Sequence, residues 1–312
     1  MTKTFDREIR RILREEMLLE ESRNPPRTPA LRKTERGVRK VLDTWLGQSG
    51  LDTKTLDGLR ARHERERRRG AEKVKRLASR QSGALYKAAV KHAKTLRALA
   101  TPTVDALPDG LWIDVIDQPR RIIASPNPDV LTDSRISPGD NFAKILVDRK
   151  NRGRDRLSFV FTWQNTTAQP VIVDAAATMS ANGFLNLHVN DGWLGNVGSM
   201  DVSTRMSVRR FLGVPFAAVS GPTVIGSVFA FNYPWWPAQD SNNPASAAVD
   251  HSVRGFPLAG NATVMITVSL TVFSDFDDGR GTADFDFGLF GVGVPQVMLT
   301  ITPEPIIFVA KR

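Results

Sequence analysis

The sequence of 312 residues has no cysteine. This absence excludes disulfide scaffolds, thiolate zinc sites, iron–sulfur clusters and cysteine nucleophiles, and it leaves the redox compartment open. Only four histidines are present, so metal chemistry has few ligands.

Catalytic motifs are also missing. The sequence has no phosphate-binding loop, no dinucleotide-binding glycine motif, no nucleophile elbow and no HExxH zinc motif. We therefore expect a protein without enzymatic activity and without a cofactor. A hydrolase site assembled only in space is the less favoured alternative, because the members of a catalytic triad need not be close in the chain.

Long apolar runs are scarce. The N-terminus carries charges every few residues and lacks the apolar core of a secretory signal. The longest weakly charged stretches, 211–239 and 255–274, are interrupted by Gly, Pro, Ser or Thr, so neither predicts a transmembrane span. We expect a soluble protein, either cytoplasmic or associated with a virion or other particle.

Charge divides the chain into two parts. Residues 1–100 contain 27 Lys+Arg against 13 Asp+Glu, whereas residues 101–312 contain 16 against 20. The overall charge of +10 thus belongs to the N-terminal part. This asymmetry predicts a basic domain over 1–105 for anchoring or oligomerisation, and a near-neutral domain over 106–312.

The N-terminal part has helical patterns. Apolar residues in 2–22 recur at helical spacing and predict an amphipathic helix that needs a partner face. A second helix is expected over 31–46, and a long helix or helical hairpin over 51–100. Within the last segment a short heptad pattern predicts a coiled-coil seam, formed by Leu85, Ala89, His92, Leu96 and Leu99.

The C-terminal part has strand patterns instead. Between Asn261 and Phe273, apolar residues alternate with Thr, Ser and Met, which predicts a strand with one buried face. About ten to twelve such segments, separated by Gly, Pro, Asn and Asp, favour an antiparallel β-sandwich similar to a jelly roll. The predicted fold class is α+β with two segregated parts, a helical domain followed by a sandwich.

Basic clusters are the strongest functional signal. Arginine-rich surfaces match phosphate geometry and bind polyanions through counterion release. The partner could be nucleic acid, an acidic protein surface or lipid headgroups, and the alternative is a solvated helix face with internal Glu–Arg pairs. The candidate polyanion-binding residues are Arg32, Lys33, Arg36, Arg39, Lys40, Arg60, Arg62, Arg65, Arg67, Arg68, Arg69, Lys73, Lys75, Arg76 and Arg80.

Five aromatic residues lie between 229 and 237, where two prolines indicate a loop. Tyr233, Trp235 and Trp236 could form a stacking platform for a sugar or an anchor for a partner. The favoured interpretation is a loop that caps the core or contacts a neighbouring subunit.

Acidic residues cluster around Gly279 and Gly281. Asp275, Asp277, Asp278, Asp284 and Asp286 could form a calcium site through their carboxylate oxygens. The same residues are also typical of a tight Asp–Gly hairpin turn, and we favour the turn. Three further arginines, Arg205, Arg209 and Arg210, are interpreted as the charged edge of a strand.

A basic N-terminal part joined to a cysteine-free sandwich resembles, in architecture, the jelly-roll coat proteins of small icosahedral viruses and phage-type structural proteins. The resemblance implies a homo-oligomeric assembly protein, with a basic region for a polyanion and a sandwich for shell, lateral or receptor contacts. The alternative is a ligand- or glycan-binding sandwich on a helical stalk, as in adhesins, fibres or toxins.

Overall fold

The computed structural model describes residues 7–16, 111–125, 131–137, 141–150, 152–189, 197–211, 217–231, 239–276, 279–285, 292–294 and 296–303. It also describes a few isolated positions between 37 and 76. In the continuous ranges there is one helix, α1, over residues 7–16. The other regular elements of these continuous ranges are strands.

The strands form two antiparallel sheets. Sheet A contains β1 (Trp112–Ile116), β3 (Leu131–Ser137), β4 (Phe142–Arg149), β6 (Val171–Val189), β10 (Gln239–Leu258), β12 (Gly279–Asp284), β13 (Val292–Gly293) and β14 (Val297–Pro303). Sheet B contains β2 (Arg121–Ser125), β5 (Gly153–Gln164), β7 (Val197–Arg210), β8 (Ala217–Val219), β9 (Thr223–Phe231) and β11 (Thr263–Phe276). In sheet B, β11 lies between β5 and β7, and β7 pairs with β8 and β9 on its other side.

The core lies between the two sheets. Alternate residues of β6 and β11 point inward, and the largest fully buried side chains include Phe159, Phe161, Phe256 and Phe285. Period-two alternation produces this arrangement because successive side chains of a strand point to opposite faces. The predicted antiparallel sandwich is therefore present.

Polar contacts join the sheets at several points, and two of them involve side chains of β5. The guanidinium of Arg149 on β4 donates from Nε and Nη2 to both carboxylate oxygens of Asp155 on β5, each at 2.7 Å. The indole Nε1 of Trp163 on β5 donates to Oδ2 of Asp114 on β1 at 2.7 Å. Contacts of this geometry fix how one sheet sits on the other.

The predicted fold class is wrong in one respect. The only helix of the continuous described ranges packs on sheet B rather than within a separate helical domain. The basic helical domain and the coiled coil are accordingly not part of the described fold. The sequence pattern identified an amphipathic helix correctly. It did not indicate which surface covers the apolar face of the helix, because that depends on tertiary packing.

Most of the predicted helical region falls outside the described residues, including the heptad residues 85–99. The isolated described positions between 37 and 76 are helical and exposed, among them Thr44, whose hydroxyl donates to the carbonyl of Lys40 at 2.9 Å. The domain boundary near 105 remains a prediction. Within the described part of the chain, no helix has the length and hydropathy that a membrane span requires.

Candidate binding face on sheet B

The outward side of sheet B is polar. On β11 the residues that alternate with the core are Met265, Thr267, Ser269, Thr271 and Phe273. Their register partners continue this face across two neighbouring strands: Val160, Ser158, Arg156 and Arg154 on β5, and Arg209, Ser207, Arg205, Ser203 and Asp201 on β7. We call this surface the sheet B face.

Helix α1 covers one end of the sheet B face. Its buried side chains Ile9, Ile12 and Leu13 form a second apolar cluster with residues of four separate segments: Ile123, Val160, Phe211 and Met265. The spacing of three and four residues places the helical side chains on one side of α1. Each buried aliphatic side chain contributes about 1.5–3 kcal/mol relative to exposure, so the cluster holds the helix in place.

A buried ion-pair network continues from this cluster. One carboxylate oxygen of Glu16 accepts from Nη2 of Arg209 at 2.6 Å, and the other accepts from Nη1 of Arg156 at 3.4 Å. The Ser207 hydroxyl also donates to Glu16, at 3.3 Å. The side chains of Glu16 and Arg156 are only 6% and 2% exposed. Glu16 therefore joins α1 to β5 and β7 by charge as well as by packing.

The other end of the sheet B face carries arginines around an aromatic ring. The guanidinium carbons of Arg152 and Arg154 lie 5.7 and 5.3 Å from the ring centroid of Phe273, within cation–π range. Arg152 is exposed, Phe273 is half-buried, and Arg154 is buried at 6% exposure. Asp201, opposite Phe273 on β7, adds a half-buried carboxylate. This end thus combines aromatic surface, positive charge and a hydrogen-bond acceptor.

Strand β9 extends the face with exposed apolar side chains. Phe229 is 52% exposed and pairs with Ser199 of β7, which in turn pairs with Asp275 of β11. Phe229 therefore lies two strands away from β11, the strand that carries Phe273, which corresponds to about 10 Å across the sheet. An exposed aromatic ring is costly to hydrate, and its position beside polar groups is typical of ligand surfaces.

The sequence-predicted basic residues are only partly described. Lys40, Arg62, Arg65, Arg69 and Arg76 are exposed helical positions. The others lie outside the described residues: Arg32, Lys33, Arg36, Arg39, Arg60, Arg67, Arg68, Lys73, Lys75 and Arg80. Their polyanion binding stays a prediction, as do homo-oligomerisation and contact with an acidic protein surface.

The aromatic loop residues Tyr233, Trp235 and Trp236 also lie outside the described residues. Of the acidic cluster, the structure places Asp275 on β11 of sheet B and Asp284 on β12 of sheet A. Asp277, Asp278 and Asp286 are not described. Among the residues that are described, no group of three His, Asp or Glu side chains converges in a way that could hold a metal ion. Calcium binding remains untested.

The arginines of β7 have a different role from the predicted one. The sequence predicts a charged strand edge, but β7 is paired on both sides, and Arg209 is a partner of Glu16. Sequence reasoning also missed Arg152, Arg154, Arg156 and Phe273, and it assigned Phe229 to the aromatic loop, whereas Phe229 lies on β9. One signal was available, because Arg154, Arg156 and Ser158 alternate with the core residues of β5 and mark a polar outer face.

His251 is the one buried histidine among the described residues, at 4% exposure. Its Nε2 lies 3.0 Å from the Thr204 hydroxyl and its Nδ1 lies 3.3 Å from the Ser220 hydroxyl. Both ring nitrogens thus contact hydroxyls rather than a carboxylate, so this group lacks the acid that orients the histidine of a catalytic triad.

Burial lowers the pKa of His251 below its usual 6.5, and the nearby Asp250 carboxylate opposes this shift only in part. The folded state therefore favours neutral imidazole, and the unfolded chain takes up a proton first as the pH falls. We expect stability to decrease as the pH falls from about 6.5 towards the lower folded pKa, by at most about 1.4 kcal/mol per pH unit. Urea midpoints measured between pH 7.5 and 5.5 would test this. The His251→Gln variant should lose this part of the pH dependence, and an unchanged dependence would contradict the expectation.

Comparison with known proteins identifies no family. No protein-family model matches the sequence, and no curated protein matches it. Several of the solved structures that overlap it are carbohydrate-binding modules. The mannan-recognising module TmCBM27 is 10% identical, with a TM-score of 0.24, over 62% of this chain and 99% of that chain. TmCBM61, solved with β-1,4-galactotriose, is 7% identical, with a TM-score of 0.18, over 57% of this chain and 90% of that chain.

A viral structure overlaps to a similar degree. Infectious bursal disease virus, Gx strain, is 8% identical, with a TM-score of 0.18, over 66% of this chain and 42% of that chain. At these scores neither group defines what the chain binds.

Proposed function

We propose that this chain is a non-enzymatic binding protein whose sandwich takes a carbohydrate ligand on the open end of the sheet B face. The observation that carries the proposal is the exposed ring of Phe229 beside the cluster of Phe273, Arg152 and Arg154. Of the two functions that the sequence left open, the glycan-binding alternative is the one that this geometry favours.

The side chains match the chemistry of a sugar. An exposed aromatic ring can pack against the apolar C–H face of a pyranose, which buries surface at low cost in side-chain entropy. The carboxylates of Asp201 and Asp275 can accept hydrogen bonds from sugar hydroxyls, and arginine can donate them. Two rings about 10 Å apart across the strands suit a chain of sugars better than a single unit.

The arginines favour an acidic sugar. The exposed Arg152 lies beside the Phe273 ring, where the buried Arg154 adds positive charge, and the half-buried Arg205 faces the same side of sheet B from β7. Guanidinium groups form paired hydrogen bonds with carboxylates, so a uronic acid would bind them more strongly than a neutral hexose, which has no carboxylate. The expected ligand class is a polysaccharide with carboxylate groups.

Replacement of Phe229 by Ala should weaken retention by polygalacturonate at least tenfold, because the exposed stacking surface would be lost and about 1.4 kcal/mol of binding free energy corresponds to tenfold in affinity. Affinity electrophoresis of the full chain in gels containing polygalacturonate or neutral β-1,4-galactan would measure this. Arg152→Gln should weaken retention by polygalacturonate and leave any retention by galactan unchanged.

Val219→Ala is a matched control. Val219 is also an exposed apolar side chain on sheet B, but its register partner Ser207 lies eight residues along β7 from Ser199, the partner of Phe229. That separation is about 26 Å, so this variant should bind normally. Absence of wild-type retention on both polymers, or unchanged retention of Phe229→Ala, would overturn the proposal. Release of reducing ends from either polymer would overturn its non-enzymatic part.

A further inference from the structure

The two sides of α1 have opposite character. Ile9, Ile12, Leu13 and Glu16 face the sheet and are buried. Four arginines occupy the other side, because residues 7, 10, 11 and 14 fall within about 100° of each other at 100° per residue. All four are exposed, and this side of the helix has no lysine and no apolar residue.

Only one of these arginines is neutralised by the helix itself. Arg11 forms an ion pair with Glu8 and donates to Oε1 of Glu15 at 2.7 Å. Its hydrogen bond lowers the pKa of the Glu8 carboxyl, as expected for a carboxylate held beside a guanidinium. Within the described part of the chain, Arg7, Arg10 and Arg14 have no acidic partner. We call these three residues the arginine stripe.

The arginine stripe is held on a fixed support. The apolar cluster and the buried ion pairs of Glu16 attach α1 to sheet B from the opposite side. A charged surface on a docked helix loses less conformational entropy on binding than a flexible tail does. The stripe spans about 10 Å along the helix axis, which is long enough to contact successive phosphates of one strand.

We propose that the arginine stripe docks on the phosphodiester backbone of nucleic acid. Arginine presents a planar fork of donors that matches phosphate oxygens. The composition of the N-terminal sequence favours the same partner, since residues 1–100 carry 14 more basic than acidic residues and Arg62, Arg65, Arg69 and Arg76 are also exposed. A lipid surface is disfavoured because interfacial helices insert an apolar face, and the apolar face of α1 is already buried on the sheet.

The test is salt-dependent binding of the full chain to a 25-base-pair DNA duplex of arbitrary sequence, followed by fluorescence anisotropy. Each phosphate contact contributes about 0.9 to the slope of log affinity against log salt concentration. The double variant Arg10→Gln, Arg14→Gln should therefore reduce the slope by about 1.8. Both side chains are exposed, so the urea midpoint should stay unchanged.

The control removes the same charge elsewhere. Lys150 and Arg254 are exposed and belong to the sheet A side of the molecule, after β4 and within β10. The double variant Lys150→Gln, Arg254→Gln should leave the slope unchanged. An equal decrease in both variants would assign the effect to net charge and overturn the stripe as a docking surface. Retention on heparin or phosphatidylserine vesicles without DNA binding would overturn nucleic acid as the partner.

Discussion

Replacement of Glu16 by Ala should destabilise the protein by about 3–5 kcal/mol, the range expected when one partner of a buried ion pair is removed. The carboxylate of Glu16 is shared by the guanidinium groups of Arg156 and Arg209, and all three side chains are less than 15% exposed. Its removal leaves two positive charges close together beneath α1. Urea denaturation monitored by tryptophan fluorescence would measure the loss.

Glu15→Ala is the matched control, because Glu15 is adjacent in sequence but exposed, and its carboxylate pairs with Arg11 on the helix surface. Exposed pairs of this kind contribute little to stability. Glu16→Gln should give an intermediate loss, since the amide oxygen still accepts a hydrogen bond. If the Glu16 and Glu15 variants unfolded at the same urea concentration, the ion-pair network would not hold the helix.

Gly183→Ala should cost about 3 kcal/mol, near the upper end for overpacking a core. Gly183 lies on β6 directly beneath Phe285, and a Cβ atom at this position would overlap with the Phe285 ring, which is fully buried. The added methyl group can be accommodated only if this ring moves into a core without spare volume. Thermal unfolding of the variant would show the loss.

Two further variants separate overpacking from the general cost of replacing glycine. Gly221→Ala places a methyl group where no atom lies within 4 Å, so its effect should stay within about 0.5 kcal/mol. In the Phe285→Leu background, Gly183→Ala should cost clearly less than in the wild type, because leucine lacks Cε1 and Cζ, two of the three ring atoms that the added methyl group meets. An undiminished cost in that background would contradict the overlap.

Much of the sandwich could be predicted from local patterns. The alternation between Asn261 and Phe273 corresponds to β11, and the alternation around Leu187 lies within β6. Strand length could not be predicted in the same way. In the sequence, the segments 169–175 and 185–189 each resemble a separate short strand, whereas β6 runs without a break from Val171 to Val189. Small residues between these ends, such as Ala175 and Ala177, weaken the apolar signal although they are buried.

The candidate site was harder to predict because its residues come from separate strands. Phe229, Phe273 and Arg152 are distant in sequence, and each resembles an ordinary strand residue on its own. Their arrangement depends on the order of β5, β11, β7 and β9 in sheet B, which no local pattern specifies. Sequence patterns indicated the aromatic loop and the acidic turn instead, because the residues of each of these clusters are neighbours in the sequence.

The location of α1 has a consequence for synthesis of the chain. Its apolar side chains belong to residues 9–13, but the surface that buries them is complete only when Met265 has been made. At about 5–20 residues per second, translation of the roughly 250 intervening residues takes about 12–50 s. During this interval the N-terminal segment exists without its partner surface. A segment that leaves the ribosome long before its partner surface is therefore among the last to reach its native contacts, and chaperones have time to bind it.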